Sequence, residues 1–321
     1  MGAEGRLPSG EPSAAALHNP LRRYWLATRP AFLLASQLPV LIGAASAWSD
    51  GHTPQLGLLL WCLLGVALIH AGANVLNDFY DAGSGTDALN QEYLHPYTGG
   101  SRFIQNGVLS RSQTGRFGVS LLLGGVLCGL VLLWFSGWVL LWIGLAGLLI
   151  AWAYSAPPLD LNRHGLGELS IALCFGVLVV VGSDFVQRQV LEWQALWLAL
   201  PYGLLASALL TINQFPDWRA DAQVGKRHWV VRLGPRQAAW GYLLLVLAAH
   251  LTLAGMLLWG VFSPWLGLAL LAAPLSLLAA ARLLLLAERP RELGGAIRLS
   301  LGALFMHGLL VWLGLLLVAT S

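Results

Sequence analysis

The sequence predicts an all-α fold, a polytopic membrane bundle of about nine transmembrane helices, and three observations predict it. Only 10% of the 321 residues are charged, against about 25% in a soluble domain. Hydrophobic residues make up 57% of the chain and its mean hydropathy is +0.69. Apolar runs of about 20 residues, the length that crosses a hydrocarbon core of roughly 30 Å, recur from end to end. Fifteen Trp residues fit the same class, because Trp gathers where lipid meets water.

Residues 1–20 are polar and hold no apolar signal-peptide core, so they read as a disordered tail ahead of a single membrane domain at 21–321. The apolar runs fall at about 31–48, 56–77, 117–135, 139–154, 168–186, 196–215, 238–260, 265–287 and 299–319. Short links (SDGHTPQ, SGW, 187–195 and VFSP) alternate with longer polar ones at 78–116, 155–167, 216–237 and 288–298. With the N-terminus and the longer links on one side, that side gathers every Arg and Lys except Arg188. Basic residues mark the cytoplasmic face, so the N-terminus is expected inside and the C-terminus outside. A miscounted span would scramble this split.

The net charge of +3 is spread over several loops, which gives no nucleic-acid footprint. Cys62, Cys128 and Cys174 stand singly inside apolar runs, which suits packing better than metal or disulfide chemistry. The oligomeric state stays open.

The chemistry is expected in two acidic blocks. NVLNDFYDAGSGTD closes the second span and NQFPDWRAD closes the sixth. Four spans apart, the two blocks emerge on the same side in the same direction, a parallel internal repeat that places a shared site between the halves. Asn77 and Asp81 are four apart and share a helix face if the helix continues. Gly83 and Gly85 then break it, and Asp87 folds back. Asn213, Asp217 and Asp221 repeat the spacing of four, although Pro216 interrupts or kinks the helix between them.

Two facing helix ends thus present Asp78, Asp81, Asp87, Asp217 and Asp221 to one cavity. Bare carboxylates there repel each other and are costly near lipid. A hard divalent cation removes both problems, and Mg²⁺ binds through a few carboxylates plus a substrate phosphate. Arg102, Arg116, Lys226, Arg227 and Arg232 suit that phosphate. A single Asp in a wet loop needs no function, so the repetition of the pattern carries the inference.

Around these blocks the sequence resembles the UbiA superfamily of intramembrane prenyltransferases. NDFYDAGSGTD matches its asparagine-and-aspartate motif near the second helix, and DWRAD matches its Asp-x-x-x-Asp motif near the sixth. The resemblance covers about residues 20–319. GGSRFIQNGVLS, YSAPPLDLNRHGLGEL and DWRADAQVGKRHWVVRLG are similar to the menaquinone branch, which prenylates 1,4-dihydroxy-2-naphthoate. So is the five-residue gap between Asp81 and Asp87.

The resemblance implies a nine-helix bundle in the inner (cytoplasmic) membrane, with its site toward the cytoplasm. It implies Mg²⁺ as cofactor, a polyprenyl diphosphate donor and an aromatic acceptor. Asn77, Asp81, Asp217 and Asp221 would be catalytic metal-holding residues, with Asp87 a further metal ligand. Asp78, Asp87, Arg102, Tyr154, Arg163, Asn213, Lys226 and Arg227 would bind substrate, although the charge of Arg163 is equally explained by the cytoplasmic bias of basic residues. The 88–115 loop is expected to close over the site.

Other acceptors (4-hydroxybenzoate, homogentisate, a tetrapyrrole) keep the same chemistry. Membrane phosphotransfer lacks a compact motif here. An ion or proton transporter is expected to place its acids mid-span rather than at span ends. Among remaining polar residues, His70 and His307 read as packing residues and Asp184 as a solvated carboxylate on the far side. Asn74 either lines the cavity or bonds a neighbouring helix. Gly125 and Gly129 read as a small-xxx-small helix contact.

Overall fold

The computed structural model describes residues 11–321. Among them every regular element is helical. Eight helices are long and apolar enough to cross a membrane: α2 (Pro30–Ser49), α3 (Leu56–Ser84), α5 (Arg111–Ser136), α7 (Gly167–Arg188), α8 (Trp193–Asn213), α11 (Pro235–Leu258), α12 (Pro264–Leu286) and α13 (Gly294–Thr320). The ninth, α6 (Val139–Ala153), has 15 residues and spans only about 22 Å. All nine expected spans are present. Their ends move outward where local signals extend the helix. Ser110 and Gln113 form a capping box that starts α5 six residues early, satisfying otherwise orphaned N–H groups.

Short helices fill the polar end: α1 (Pro20–Ala27), α4 (Thr86–Leu89), α9 (Trp218–Gln223) and α10 (Trp229–Leu233). The disordered tail expected for 1–20 is corrected over its described part, since 1–10 lie outside the described residues. Glu11 accepts hydrogen bonds from Tyr93 and from Asn106 (2.9 Å). Leu17 is buried with Phe103, Val108 and Leu109, and the Asn19 side chain caps α1. Apolar burial and a cap order a segment that composition alone marks as loose.

The largest core joins α2, α8, α11, α12 and α13 around Tyr202, Ile212, Tyr242 and Leu304. The other half rests on a close α3–α5 pair. A side chain at Gly125 would strike Ile69 at 2.5 Å, and one at Gly72 would strike Leu122 at 2.7 Å. Small residues let the two backbones approach. Lipid-facing Trp134, Trp138, Trp193 and Trp259 are strongly exposed at helix ends on one side, forming an interfacial belt.

Candidate active site

α3 does not stop at the acidic block. It runs through Gly83 to Ser84 and ends where Gly85 takes φ +82°, a left-handed conformation that glycine adopts freely. Asn77 and Asp81 therefore sit on one continuous turn. The Asn77 Nδ2 donates to Asp81 Oδ2 and to Ser155 Oγ, both at 3.1 Å.

The second block differs. α8 ends at Asn213, a turn carries Pro216, and α9 restarts at Trp218. The shared helix face expected for Asn213, Asp217 and Asp221 is thus corrected: the proline turn separates Asn213 from the other two. Asp217 and Asp221 still belong to one tight turn, with the Asp221 N–H donating to the Asp217 carbonyl at 2.9 Å.

The blocks meet at Lys226. Its Nζ lies 2.9 Å from Asp81 Oδ1 and 3.1 Å from Asp221 Oδ1. His228 Nε2 lies 3.1 Å from the other Asp221 oxygen. Asp217 accepts from Asn90 Nδ2 (2.6 Å) and from the Gly99 N–H (3.2 Å). Asp78 pairs with Arg29 and accepts the Ser101 N–H. Asp87 is buried on α4, where Gln105 donates to its carboxylate at 2.8 Å. The loop after α4 is already seated on the acids: Gly100, at φ +75°, leaves room for only 3.0 Å between a Cβ and Asp78 Oδ1.

Charge in this nest is unbalanced. Burial, then the neighbouring Asp81 and Asp78 carboxylates, push the Asp87 carboxyl up to about 8. Burial and Asp221 push Asp217 up to about 6. Burial also works to raise Asp221, but Lys226 and His228 outweigh it and hold that carboxyl below its usual range. Burial works to lower Lys226, yet Asp81 and Asp221 outweigh it and raise the ammonium. Burial raises the Tyr154 phenol.

Other expected site residues divide into two groups. Asn77, Asp81, Asp87, Tyr154, Asn213, Asp217, Asp221 and Lys226 line one cavity of about 470 Å³. Asp78, Arg102, Arg163 and Arg227 are not part of its lining. The Arg102 guanidinium stacks over Tyr93 at 4.4 Å and donates to the Asp87 carbonyl. Arg163 donates to the Val224 carbonyl at 2.8 Å. Arg227 is exposed. Arg102 and Arg163 thus brace loops beside the mouth.

Arg29, Asn90, Ser155 and His228 were not marked by the sequence pattern. Arg29 precedes Pro30 and looked like ordinary cytoplasmic charge, while the others lie in loops whose approach is purely tertiary. His70 bonds Ser36 at 2.9 Å and packs on Phe175, as expected of a packing residue. Asn74 does both things weighed for it, lining the cavity and donating to the Thr28 carbonyl. Asp184 is not solvated: it is buried and pairs with Arg188 at 2.9 Å.

Oxygen donors dominate the mouth, and the Lys226 ammonium already sits as a cation between the blocks. Among the described residues no three acidic, His or Cys side chains close around one point. The donor set therefore fits a hard ion held by one or two carboxylates, with the rest of its shell supplied by a phosphate.

Fold and site together define a membrane-embedded, all-helical enzyme whose charged mouth opens on an apolar cavity. The chain belongs to the UbiA prenyltransferase family, whose profile matches residues 37–293, and it is a prenyltransferase. It is 32% identical over 260 residues to the 1,4-dihydroxy-2-naphthoate octaprenyltransferase of Escherichia coli (strain K12), covering 78% of this chain and 82% of that one. It is 33% identical over 256 residues to the enzyme of the same name from Mycobacterium tuberculosis, covering 78% and 82%. A solved UbiA homolog from Archaeoglobus fulgidus, bound to DMAPP and Mg²⁺, shares the fold with a TM-score of 0.66 at 18% identity, covering 93% of this chain and 99% of that one.

Proposed function

We propose that the protein transfers a polyprenyl group from a polyprenyl diphosphate to 1,4-dihydroxy-2-naphthoate, with Mg²⁺, as a step in menaquinone biosynthesis. The observation that carries this reading is the Lys226 ammonium, which joins Asp81 on one block to Asp221 on the other at the charged mouth of an otherwise apolar cavity. An amphipathic donor with an anionic head and a hydrocarbon tail matches both ends. The 32% and 33% identical naphthoate prenyltransferases support the acceptor.

Asn77, Asp81, Asp87, Asp217 and Asp221 are the residues from which the one or two carboxylates and neighbouring oxygen donors that would hold Mg²⁺ come. Bound there, the ion supplies charge stabilisation to the departing diphosphate. The chain's own groups do the rest. Lys226 and Arg29 offer fixed positive charge to the head group. Asn77 and Ser155 orient Asp81, and Asn90 with the Gly99 N–H orient Asp217. The apolar walls exclude water from the allylic carbon as its C–O bond breaks and the electron pair leaves with the diphosphate. An electron-rich ring carbon of the acceptor then supplies the pair for the new C–C bond, and its carboxylate leaves as carbon dioxide. The membrane is the inner membrane, and the acidic mouth faces the cytoplasm with the N-terminus.

The test is transfer from a radiolabelled polyprenyl diphosphate to dihydroxynaphthoate by the purified protein in lipid, with Mg²⁺ and with a chelator. Mg²⁺-dependent prenyl product supports the reading. Product with 4-hydroxybenzoate or homogentisate instead replaces the acceptor. No transfer to any ring rejects it.

A further inference from the structure

Between α4 and α5 the chain runs from residue 90 to residue 110 without a regular element. A loop this long has many conformations open to it unless something outside it holds it. Yet between Gly99 and Gln105 it gives one donor to each of three acids. The Gly99 N–H reaches Asp217 (3.2 Å), the Ser101 N–H reaches Asp78 (3.3 Å) and Gln105 Nε2 reaches Asp87 (2.8 Å). Those donors serve the acids only while the loop keeps its place.

Tyr93 is the hub of the loop. A Cβ at Gly99 would strike Tyr93 at 2.5 Å, so this side chain lies against the backbone that serves Asp217. Arg102, whose guanidinium lies 4.4 Å over the same ring, donates to the Asp87 carbonyl. The Tyr93 hydroxyl donates to Glu11, which lies outside the loop. The second Glu11 oxygen accepts from Asn106 Nδ2 at 2.9 Å, and that amide also donates to the Pro12 carbonyl at 2.9 Å. Glu11 therefore ties the loop at 93 and at 106, on either side of all three donors. An acid in a polar tail ordinarily faces water, but here both carboxylate oxygens are taken by the loop. The segment that carries Glu11 is itself anchored. Leu17 is buried with Phe103, Val108 and Leu109, and its carbonyl accepts from Arg23 Nε (3.1 Å) and Nη2 (2.8 Å).

We propose that Glu11 is a positioning residue for the acidic mouth: by holding the Tyr93 phenol and the Asn106 amide, it fixes the loop whose Gly99, Ser101 and Gln105 orient Asp217, Asp78 and Asp87. This role deepens the metal and diphosphate reading above and rests on it. Groups that orient metal ligands from behind set how well those ligands bind. Glu11 does so across the chain, from a segment with no acid of the two blocks in it.

The experiment compares the full-length wild type in lipid with Glu11→Ala, Glu11→Gln, Tyr93→Phe and the double variant Glu11→Ala with Tyr93→Phe. The control is Glu288→Gln, at an exposed acid paired with Arg236, which is expected to keep the wild-type values. Amide hydrogen exchange is read first, with no ligand added. Glu11→Ala is expected to exchange faster over residues 94–109 and at the wild-type rate across α8, which reports an intact fold. Mg²⁺ titration with inorganic pyrophosphate present is read second. Affinity is expected to fall about tenfold in Glu11→Ala, the lower end of the range for groups that orient ligands. Glu11→Gln, which still offers the phenol an acceptor, is expected to recover most of that loss. Because Glu11 acts through Tyr93, the double variant is expected to lose no more than Glu11→Ala alone. Unchanged exchange over 94–109, or faster exchange that spreads to α8, overturns the proposal. So does unchanged Mg²⁺ affinity in Glu11→Ala, an equal loss in Glu11→Gln, or additive losses in the double variant. A wild type that binds Mg²⁺ and pyrophosphate beside such variants removes the role of Glu11 alone, whereas a wild type that does not bind them removes the metal reading and this role with it.

Discussion

Lys226 and Asp81 lie 145 positions apart in the chain, and their charged groups are 2.9 Å apart in the fold. The same ammonium reaches Asp221 at 3.1 Å, so one side chain fastens the end of the second span to the loop after the sixth. Lys226→Met removes that fastening and takes the ammonium from half-buried Asp81 and buried Asp221, which keep only their contacts with Asn77 and His228. Breaking a buried pair costs about 3–5 kcal/mol, so the thermal midpoint in detergent is expected to fall. Losing a fixed charge at the leaving group costs about 10²–10³ in turnover. A variant with wild-type stability and wild-type turnover would falsify the role given to Lys226.

The acids should separate by partner. Asp81→Ala and Asp217→Ala are expected to abolish transfer while the protein still folds, because both face the cavity and Lys226 keeps Asp221 as a partner when Asp81 is removed. Asp78→Ala behaves differently. It strands the half-buried Arg29 guanidinium and the buried Ser101 N–H, at a cost that approaches the roughly 3–5 kcal/mol of a broken buried pair. Thermal denaturation alongside a transfer assay distinguishes the two patterns. Equal loss of stability in all three variants would mean that the site assignment is wrong.

Proton release should accompany metal binding. Burial and neighbouring carboxylates hold Asp87 at about 8 and Asp217 at about 6. A metal takes the deprotonated form, so below the free-protein value each binding event expels a proton. Mg²⁺ affinity is therefore expected to fall as pH drops through about 8 and to fall more steeply below about 6, where Asp217 also carries a proton. Calorimetry in two buffers of different ionisation enthalpy reads the proton directly. No dependence on buffer near neutral pH would show that Asp87 is not a ligand.

Much of this arrangement was legible in the sequence. Nine apolar runs gave nine helices, since a lipid-facing helix needs a length and composition that loops rarely imitate. Asn77 and Asp81 met because the spacing of four acts within one helix. Asn213 parted from Asp217 because a proline turn intervenes, and spacing says nothing once the helix stops. The partners of the acids were illegible for a related reason. Arg29, Asn90 and His228 reach the site through loops, and no local pattern marks where a loop lands. Asp184 was misread as solvated because charge at a span end normally faces water, and only the tertiary structure shows α2 bringing Asp50 and Ser46 to its partner Arg188.

That far-side pairing yields a prediction opposite in kind to those at the mouth. Among the described residues Arg188 is the one Arg or Lys at its end of the bundle, and its side chain is only 5% exposed, against 1% for Asp184. It also donates to Ser46, while the adjacent Gln187 side-chain Oε1 accepts from Trp48 Nε1 (3.0 Å) and the Gln55 N–H (2.8 Å). The end of α7 is thus tied to the end of α2 and to the start of α3, away from the acids. Arg188→Ala leaves Asp184 buried and unpaired, at a cost of about 3–5 kcal/mol. Replacing both together, Arg188→Met with Asp184→Leu, removes the orphaned charge and should recover most of the loss, as apolar replacement of buried pairs commonly does. Mg²⁺ affinity is expected to stay at the wild-type value in the double variant. Denaturation midpoints for the single and double variants, read with Mg²⁺ titration, check both halves. If the double variant is as unstable as Arg188→Ala, the clasp contributes through its specific hydrogen bonds rather than through charge neutralisation.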